Sequence, residues 1–278
     1  MDIDFTYYLM NLTFVTLFLV LVVIAKWVYN LTAPYNTFTE ITENKNQALA
    51  VSIAGFIAAL SMIYVAVLVG PSNGFKTDLI NVSIYAGLGL VLLLISRLIN
   101  DKLLLHKFCN HNQLVEHQSL SVGLVQASSY ITSGLIIAGA LMGEGSLISA
   151  LAFYVLAQFM LIVFSKAYDI VTKFDLHDEL EKNNTAAAIS FACTKIAIGI
   201  ILFHSLQGAF VSWQESITLF FVDAAIAFVL LPIVRLVVDK LLLTAIRIDD
   251  AIAENNSAIA LIEGFVAISV ALVILFSL

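Results

Sequence analysis

Charge is what this chain has least of. Only 12% of its 278 residues are Asp, Glu, Lys or Arg, while 61% are hydrophobic. So little polar surface cannot close a water-facing shell around a core, which excludes an ordinary soluble domain and makes lipid the solvent. Basic residues are scarcer still, 13 against 20 acidic ones for a formal net charge of −7, so the chain lacks the basic footprint of a nucleic-acid binder. The two cysteines, Cys109 in a polar loop and Cys193 inside an apolar run, build no disulfide framework. His-Glu-x-x-His, Gly-x-Ser-x-Gly, P-loop and dinucleotide glycine patterns are all missing. Catalysis is therefore not expected, and no cofactor is called for.

Long apolar runs are what the chain does have. Crossing ~30 Å of hydrocarbon takes about 20 residues, and eight such runs occur, at 5–29, 46–69, 79–99, 119–142, 147–168, 184–206, 217–238 and 256–278. The first follows an acidic leader, Met1-Asp2-Ile3-Asp4, and no small-residue cleavage site succeeds it, so it reads as a retained helix and not a signal peptide. Connections alternate between long charged loops and short turns such as Gly70-Pro71-Ser72-Asn73-Gly74. The expected fold is an all-α membrane protein of eight transmembrane helices, built as four tandem hairpins.

The two halves repeat. Ile95-Ser-Arg97-Leu-Ile-Asn-Asp101-Lys102 returns as Ile233-Val-Arg235-Leu-Val-Val-Asp239-Lys240, an offset of 138 that also carries Glu43 onto Glu181, Asn46 onto Asn184 and Glu116 onto Glu254. The expected halves are 1–138 and 139–278. Each has an even number of crossings, so the copies run in the same direction, unlike inverted-repeat transporters. Small residues four apart recur in every second span: Ala50 and Ala54, Gly123 and Ala127, Ala188 and Ala192, Ala260 and Gly264. Such pairs let backbones approach in lipid, so these spans are expected to form the inner bundle, and the same faces suit a homodimer.

Orientation follows from Lys and Arg. Lys26, Lys45, Arg97, Lys102, Lys107, Lys166, Lys173, Lys182, Arg235, Lys240 and Arg247 fall on one side, with Lys76 opposite. The positive-inside rule puts the long loops in the cytoplasm and both termini outside, with Trp27 and Trp213 near opposite interfaces. Asp239 to Asn255 mixes Leu241, Leu242, Ile246 and Ile252 with charges and reads as an amphipathic stretch on the cytoplasmic surface.

At Glu43-Asn-Lys-Asn46-Gln-Ala48-Leu-Ala50, repeated as Glu181-Lys-Asn-Asn184-Thr-Ala186-Ala-Ala188, the chain resembles the bacterial YjfL-like inner-membrane family, over nearly its whole length. That resemblance implies a four-helix membrane domain of unknown function present twice, and a place in the bacterial inner membrane. It brings no mechanism. Genes of such proteins neighbour phage-shock-type membrane-maintenance genes, which implies a cytoplasmic membrane-maintenance protein as a partner.

Three groups of residues are candidates for chemistry. Lys195, Asp223 and Glu263 lie within apolar spans, where a central charge costs ~2.5–3.5 kcal/mol on insertion scales, so each is expected to pair. Lys195 and Glu263, 11 and 7 residues into parallel helices, differ by roughly 6 Å in depth at ~1.5 Å per residue. They suit either a proton or cation relay or an ion pair that fixes packing, with Ile57, Tyr85 and Val125 as their first-half counterparts. Second, Glu43, Glu116, Glu181 and Glu254 precede the N-cap candidates Asn46, Ser119, Asn184 and Asn256, with a one-residue slip at the last. Capping and the helix dipole account for this motif, and a carboxylate ring at a pore mouth is the sharper reading. Third, His106, Cys109, His111, Glu116 and His117 gather in one loop, but their spacing matches no zinc signature and the other half changes their type, so no metal is expected. His204 reads as a hydrogen-bonded bundle residue and Pro232 as a kink. The favoured function is a channel or transporter for a small ion or solute, and the alternative is a non-transporting membrane scaffold or envelope-stress subunit.

Overall fold

The computed structural model describes residues 5–103, 112–143, 145–172, 174–243 and 246–277. Eight long helices carry the apolar runs: α1 (Phe5–Thr32), α3 (Gln47–Leu68), α4 (Phe75–Leu103), α5 (Leu120–Met142), α6 (Leu147–Val171), α8 (Thr185–Leu206), α9 (Trp213–Val237) and α11 (Ser257–Ser277). Among the described residues these are the helices long and apolar enough to cross a membrane. Three short helices, α2 (Thr37–Thr42), α7 (Leu176–Glu181) and α10 (Ile248–Ala253), and a π-turn at Asn112–Glu116 lead into α3, α8, α11 and α5 respectively. The chain is all-α, with eight candidate spans in two duplicated halves. Several odd spans run past their apolar cores: α4 carries on through Arg97, Asn100 and Asp101, because a helix need not stop where hydrocarbon does.

Every second span starts in the same way. Asn46, Ser119, Asn184 and Asn256 accept a hydrogen bond from the backbone N–H three residues on, at Leu49, Val122, Ala187 and Ile259. This satisfies one of the donors that a helix leaves open at its first turn. The residue before each cap, Lys45, Gln118, Asn183 or Asn255, has φ between 48° and 59°. The left-handed kink turns the chain out of the short helix and into the span.

These cap turns are laced to one another. Asn46 Nδ2 donates to Leu114 O at 2.7 Å, and 138 residues later Asn184 Nδ2 donates to Ile252 O at 2.8 Å. Between the halves, Ser121 N donates to Asn183 Oδ1 and Ser121 Oγ to Leu180 O. One line of hydrogen bonds thus joins all four turns along one side of the molecule. In α10, Ile248, Ala251 and Ile252 are buried against the protein. That corrects the expectation that Ile252 rests on the membrane surface, whereas Leu241 and Leu242 do remain exposed.

The close helix pairings are α3 with α5, α5 with α8, and α8 with α11, which makes a row. These spans do pack on one another, as the small-residue pairs led one to expect, but as an open row: α3 and α11 make no close pairing among the described residues. A Cβ on Gly55 would lie 2.5 Å from Ala127 Cα, and one on Gly134 would lie 2.7 Å from Ala59 Cα, so α3 and α5 touch backbone to backbone. Gly123 meets Ala48 in the same way. The contact face of α3 is therefore Ala48, Gly55 and Ala59. Ala54 is exposed and Ala50 half-buried, which corrects their place in the packing stripe: they sit to one side of that face. Gly123, Ala127, Ala188, Ala192, Ala260 and Gly264 are all buried, Gly264 against Cys193.

The other four spans fill the grooves of this row. α4 packs on α3 and α5, α6 on α5 and α8, and α9 on α8 and α11. They also touch in sequence: Phe14 meets Phe75 between α1 and α4, Tyr154 bonds Ser96 between α6 and α4, and Phe164 stacks on Phe228 between α6 and α9. The molecule is a two-layer slab of helices. Such stacking supplies van der Waals contact in lipid, where burying apolar surface contributes little.

Candidate functional site

Lys195 is fully buried, eleven residues past the Asn184 cap and so ~16 Å deep at ~1.5 Å per residue. It projects from α8 toward α5, where Nζ donates to Ser129 Oγ. Ser129 in turn donates to Val125 O. No carboxylate lies within 4 Å of Lys195 among the described residues. The relay through Asp223, Lys195 and Glu263 is therefore corrected. α8 is sandwiched, with Lys195 on its α5 side and Ser190 and Cys193 on its α11 side, so Lys195 cannot meet Glu263. Asp223, half-buried on α9, has no hydrogen-bond or ion-pair partner among the described residues.

Arg235 is the partner of Glu263, with Nε 3.5 Å from Oε1, while Ser190 Oγ donates to Oε2 at 2.7 Å. Arg235 also grips Asp249, Nη2 to Oδ1 at 2.6 Å, and lies over the Tyr168 ring, whose hydroxyl meets Ser190. The first half holds a matching cluster around Arg97. Its guanidinium stacks 4.1 Å from the Tyr29 centroid, bonds Thr32, and lies 3.8 Å from Asp101. Ser52 donates to Gln126 Oε1, and Gln126 Nε2 donates to Asp101 at 3.2 Å. Gln126 is thus the counterpart of Glu263, each being seven residues past its cap. This corrects Val125, because the one-residue slip at Asn256 shifts the register.

In the sequence the two arginines stand out only as repeat markers and interfacial charges. Their survival in both copies at apolar positions was the available signal, since a buried guanidinium needs a carboxylate close by.

The polar groups connect. A crevice of about 190 Å³, lined by Thr32, Pro34, Tyr35, Arg97, Asp101 and Gln126 among others, opens on the cap-turn side. Ser128, Ser129, Thr132 and Ser133 continue the polar face of α5, and Asn100 donates to Ser133. Beyond them the matching turns of α5 and α8 present Ile136, Ile137, Ile201 and Leu202, all buried. Buried polar side chains of α5 thus run from the crevice past Lys195 and give way to apolar ones beyond it.

Outside the spans, Tyr35 has its hydroxyl pushed far up by burial beside Tyr29. Burial opposes ionisation of Glu179, yet hydrogen bonds from Lys182 and Asn184 outweigh it and hold the carboxyl below its usual range. Glu43, Glu116, Glu181 and Glu254 are all exposed. They stand along a row of turns, so the ring at a pore mouth is corrected to a line. His204 has no hydrogen-bond partner at Nδ1 among the described residues, which corrects its reading as a bonded bundle residue. Glu116 and His117 are exposed, while His106, Cys109 and His111 lie outside the described residues.

Known proteins bear on this arrangement in two ways. Residues 5–141 and 142–278 each match the Domain of Unknown Function DUF350. A UPF0719 transmembrane protein of Aquifex aeolicus (strain VF5) is 24% identical over 231 residues, covering 80% of this chain and 82% of that protein. No solved structure matches.

Proposed function

The chain belongs to the DUF350 family, carrying that domain twice, and from this we propose that it is a bacterial inner-membrane protein that moves protons through the joint between its halves. Cap turns face the cytoplasm in this reading, on the strength of the Lys and Arg bias. The observation that carries it is Lys195, buried at mid-membrane with the Ser129 hydroxyl and the Phe191 ring as its partners and no counter-ion within 4 Å among the described residues. A structural ion pair would neutralise such a charge. A group left without one gives up and regains its proton readily, which is what a relay requires.

Asp101, in the crevice on the cap-turn side, is the proton donor and acceptor toward the cytoplasm, and Gln126 orients it. In this reading the buried Ile136, Ile137 and Ile201 close the other side. Transport then needs a second packing of α5 against α8.

Proton flux into proteoliposomes under an imposed pH gradient tests this. Wild type is expected to acidify the lumen faster than empty vesicles, and Lys195→Met to abolish the difference while eluting as a folded species. Equal flux with both proteins would sink the reading. A scaffold role is the second reading, favoured by exposed Leu241 and Leu242 beside Lys240. It expects Leu241→Glu to release a cytoplasmic partner without altering flux.

A further inference from the structure

Both arginine clusters border a crevice, but the second-half one is walled by aromatic rings, where the first-half one is lined by Thr32, Pro34 and Tyr35. About 130 Å³ lies between α6, α8, α9 and α11, walled by Phe164, Tyr168, Ile198, Phe228 and Ala267, with Arg235 and Glu263 at its base. Val171 and Pro232 form its rim and are exposed, so it opens sideways where lipid would lie. Arg235 is engaged most closely by Asp249, at 2.6 Å, and less closely by Glu263, at 3.5 Å. One guanidinium is therefore shared by two carboxyl groups, which leaves no cation at the base to spare for an anionic ligand, an anionic lipid head included.

Two further features point the same way. Pro232 has no N–H, so the Phe228 carbonyl on the crevice wall loses its donor four residues on and keeps a free lone pair. Aromatic faces at Phe164, Tyr168 and Phe228 attract cations through their ring quadrupoles, most strongly where water is excluded. We propose that this crevice binds a lipophilic cation, an ammonium group on an apolar body that arrives from the bilayer. The cation lies against the outer faces of the stacked Phe164 and Phe228 rings, with its charge toward Glu263 and the apolar body toward the rim. In the first half Gln126 stands where Glu263 does, and Leu94 where Pro232 does, so that copy offers neither the second carboxyl group nor the freed carbonyl. The site lies on the α11 side of α8, opposite Lys195, and does not depend on proton movement.

The test is equilibrium binding of radiolabelled benzyltrimethylammonium to the full-length protein in nanodiscs of neutral lipid, with neopentylbenzene, its uncharged isostere, as competitor. Saturable binding is expected in wild type, weakened at least tenfold both by Glu263→Gln and by Ala267→Leu, which fills the crevice without touching the charges. Neopentylbenzene should compete at least tenfold more weakly than unlabelled cation. Should Glu263→Gln disturb folding, Ala267→Leu carries the test alone. Binding no greater than to empty nanodiscs, unchanged affinity in Ala267→Leu, or equal competition by the neutral isostere would overturn the proposal.

Discussion

An asparagine at a helix start does one job if it is exposed and two if it is buried. Asn256 is exposed and caps α11 alone. Asn46 is 1% exposed, caps α3, and donates its amide to Leu114 O in the next cap turn. Removing a cap costs ~1 kcal/mol, and leaving a buried carbonyl without its donor adds about 1–3 kcal/mol. Asn46→Ala is therefore expected to lower the thermal unfolding midpoint in detergent clearly more than Asn256→Ala. Equal shifts would mean that the lacing of the turns carries no energy. Cap residues are legible in sequence because the motif is local: a polar residue with a short acceptor, set directly before an apolar run. The partner of Lys195 is not legible. Residues 190 and 195 lie five apart, or about 140° around a helix at 3.6 residues per turn, so depth alone cannot say whether Lys195 faces α5 or α11.

Helices in this molecule meet at glycine and alanine, and the fit is tight at some glycines and open at others. A methyl on Gly55 would collide with the Ala127 backbone, whereas one on Gly87 in α4 would meet nothing within 4 Å. Overpacking at such a joint costs about 1–3 kcal/mol, while Gly→Ala inside an exposed helix turn is stabilising by roughly 0.5–1 kcal/mol. Gly55→Ala should lower the unfolding midpoint and the yield of monodisperse protein, and Gly87→Ala should match or exceed wild type. If Gly55→Ala behaved as Gly87→Ala does, α3 and α5 would not be in backbone contact. Span number and span type follow from hydropathy alone, since lipid admits few alternatives. Which face of α3 packs does not: Ala50 and Ala54 have the same spacing as the pairs that do pack, and only the rotation of the helix separates them from Ala48, Gly55 and Ala59.

Seen whole, the slab has one laced side and one side of short turns. All four cap turns lie together, so cysteines placed at Glu43→Cys, Glu116→Cys, Glu181→Cys and Glu254→Cys, in a chain with Cys109 and Cys193 replaced, should react as a set. Lys76→Cys should report the opposite side. With the cap turns in the cytoplasm, a membrane-impermeant maleimide added to intact cells is expected to label Lys76→Cys and spare the other four. Labelling of the four alone would reverse the orientation, and labelling of two from each side would refute parallel halves. The duplication is readable because offsets of 138 and 137 run through charged residues as well as apolar ones. Layer order is not readable, because a row and a ring of four helices ask the same small residues of each sequence.

The joint between α5 and α8 is where one copy of the domain ends its row and the other begins. Were the two copies separate, identical chains, any residue on that surface would appear twice in the assembly, and a lysine added to one would be added to all. Fusion into a single polypeptide lifts that restriction. Lys195 has Ile57 as its counterpart by position, and Ser129 faces it from the other copy. The duplication thus gave the two copies separate histories, and the seam became a place where one could acquire a charge that the other never had to accommodate.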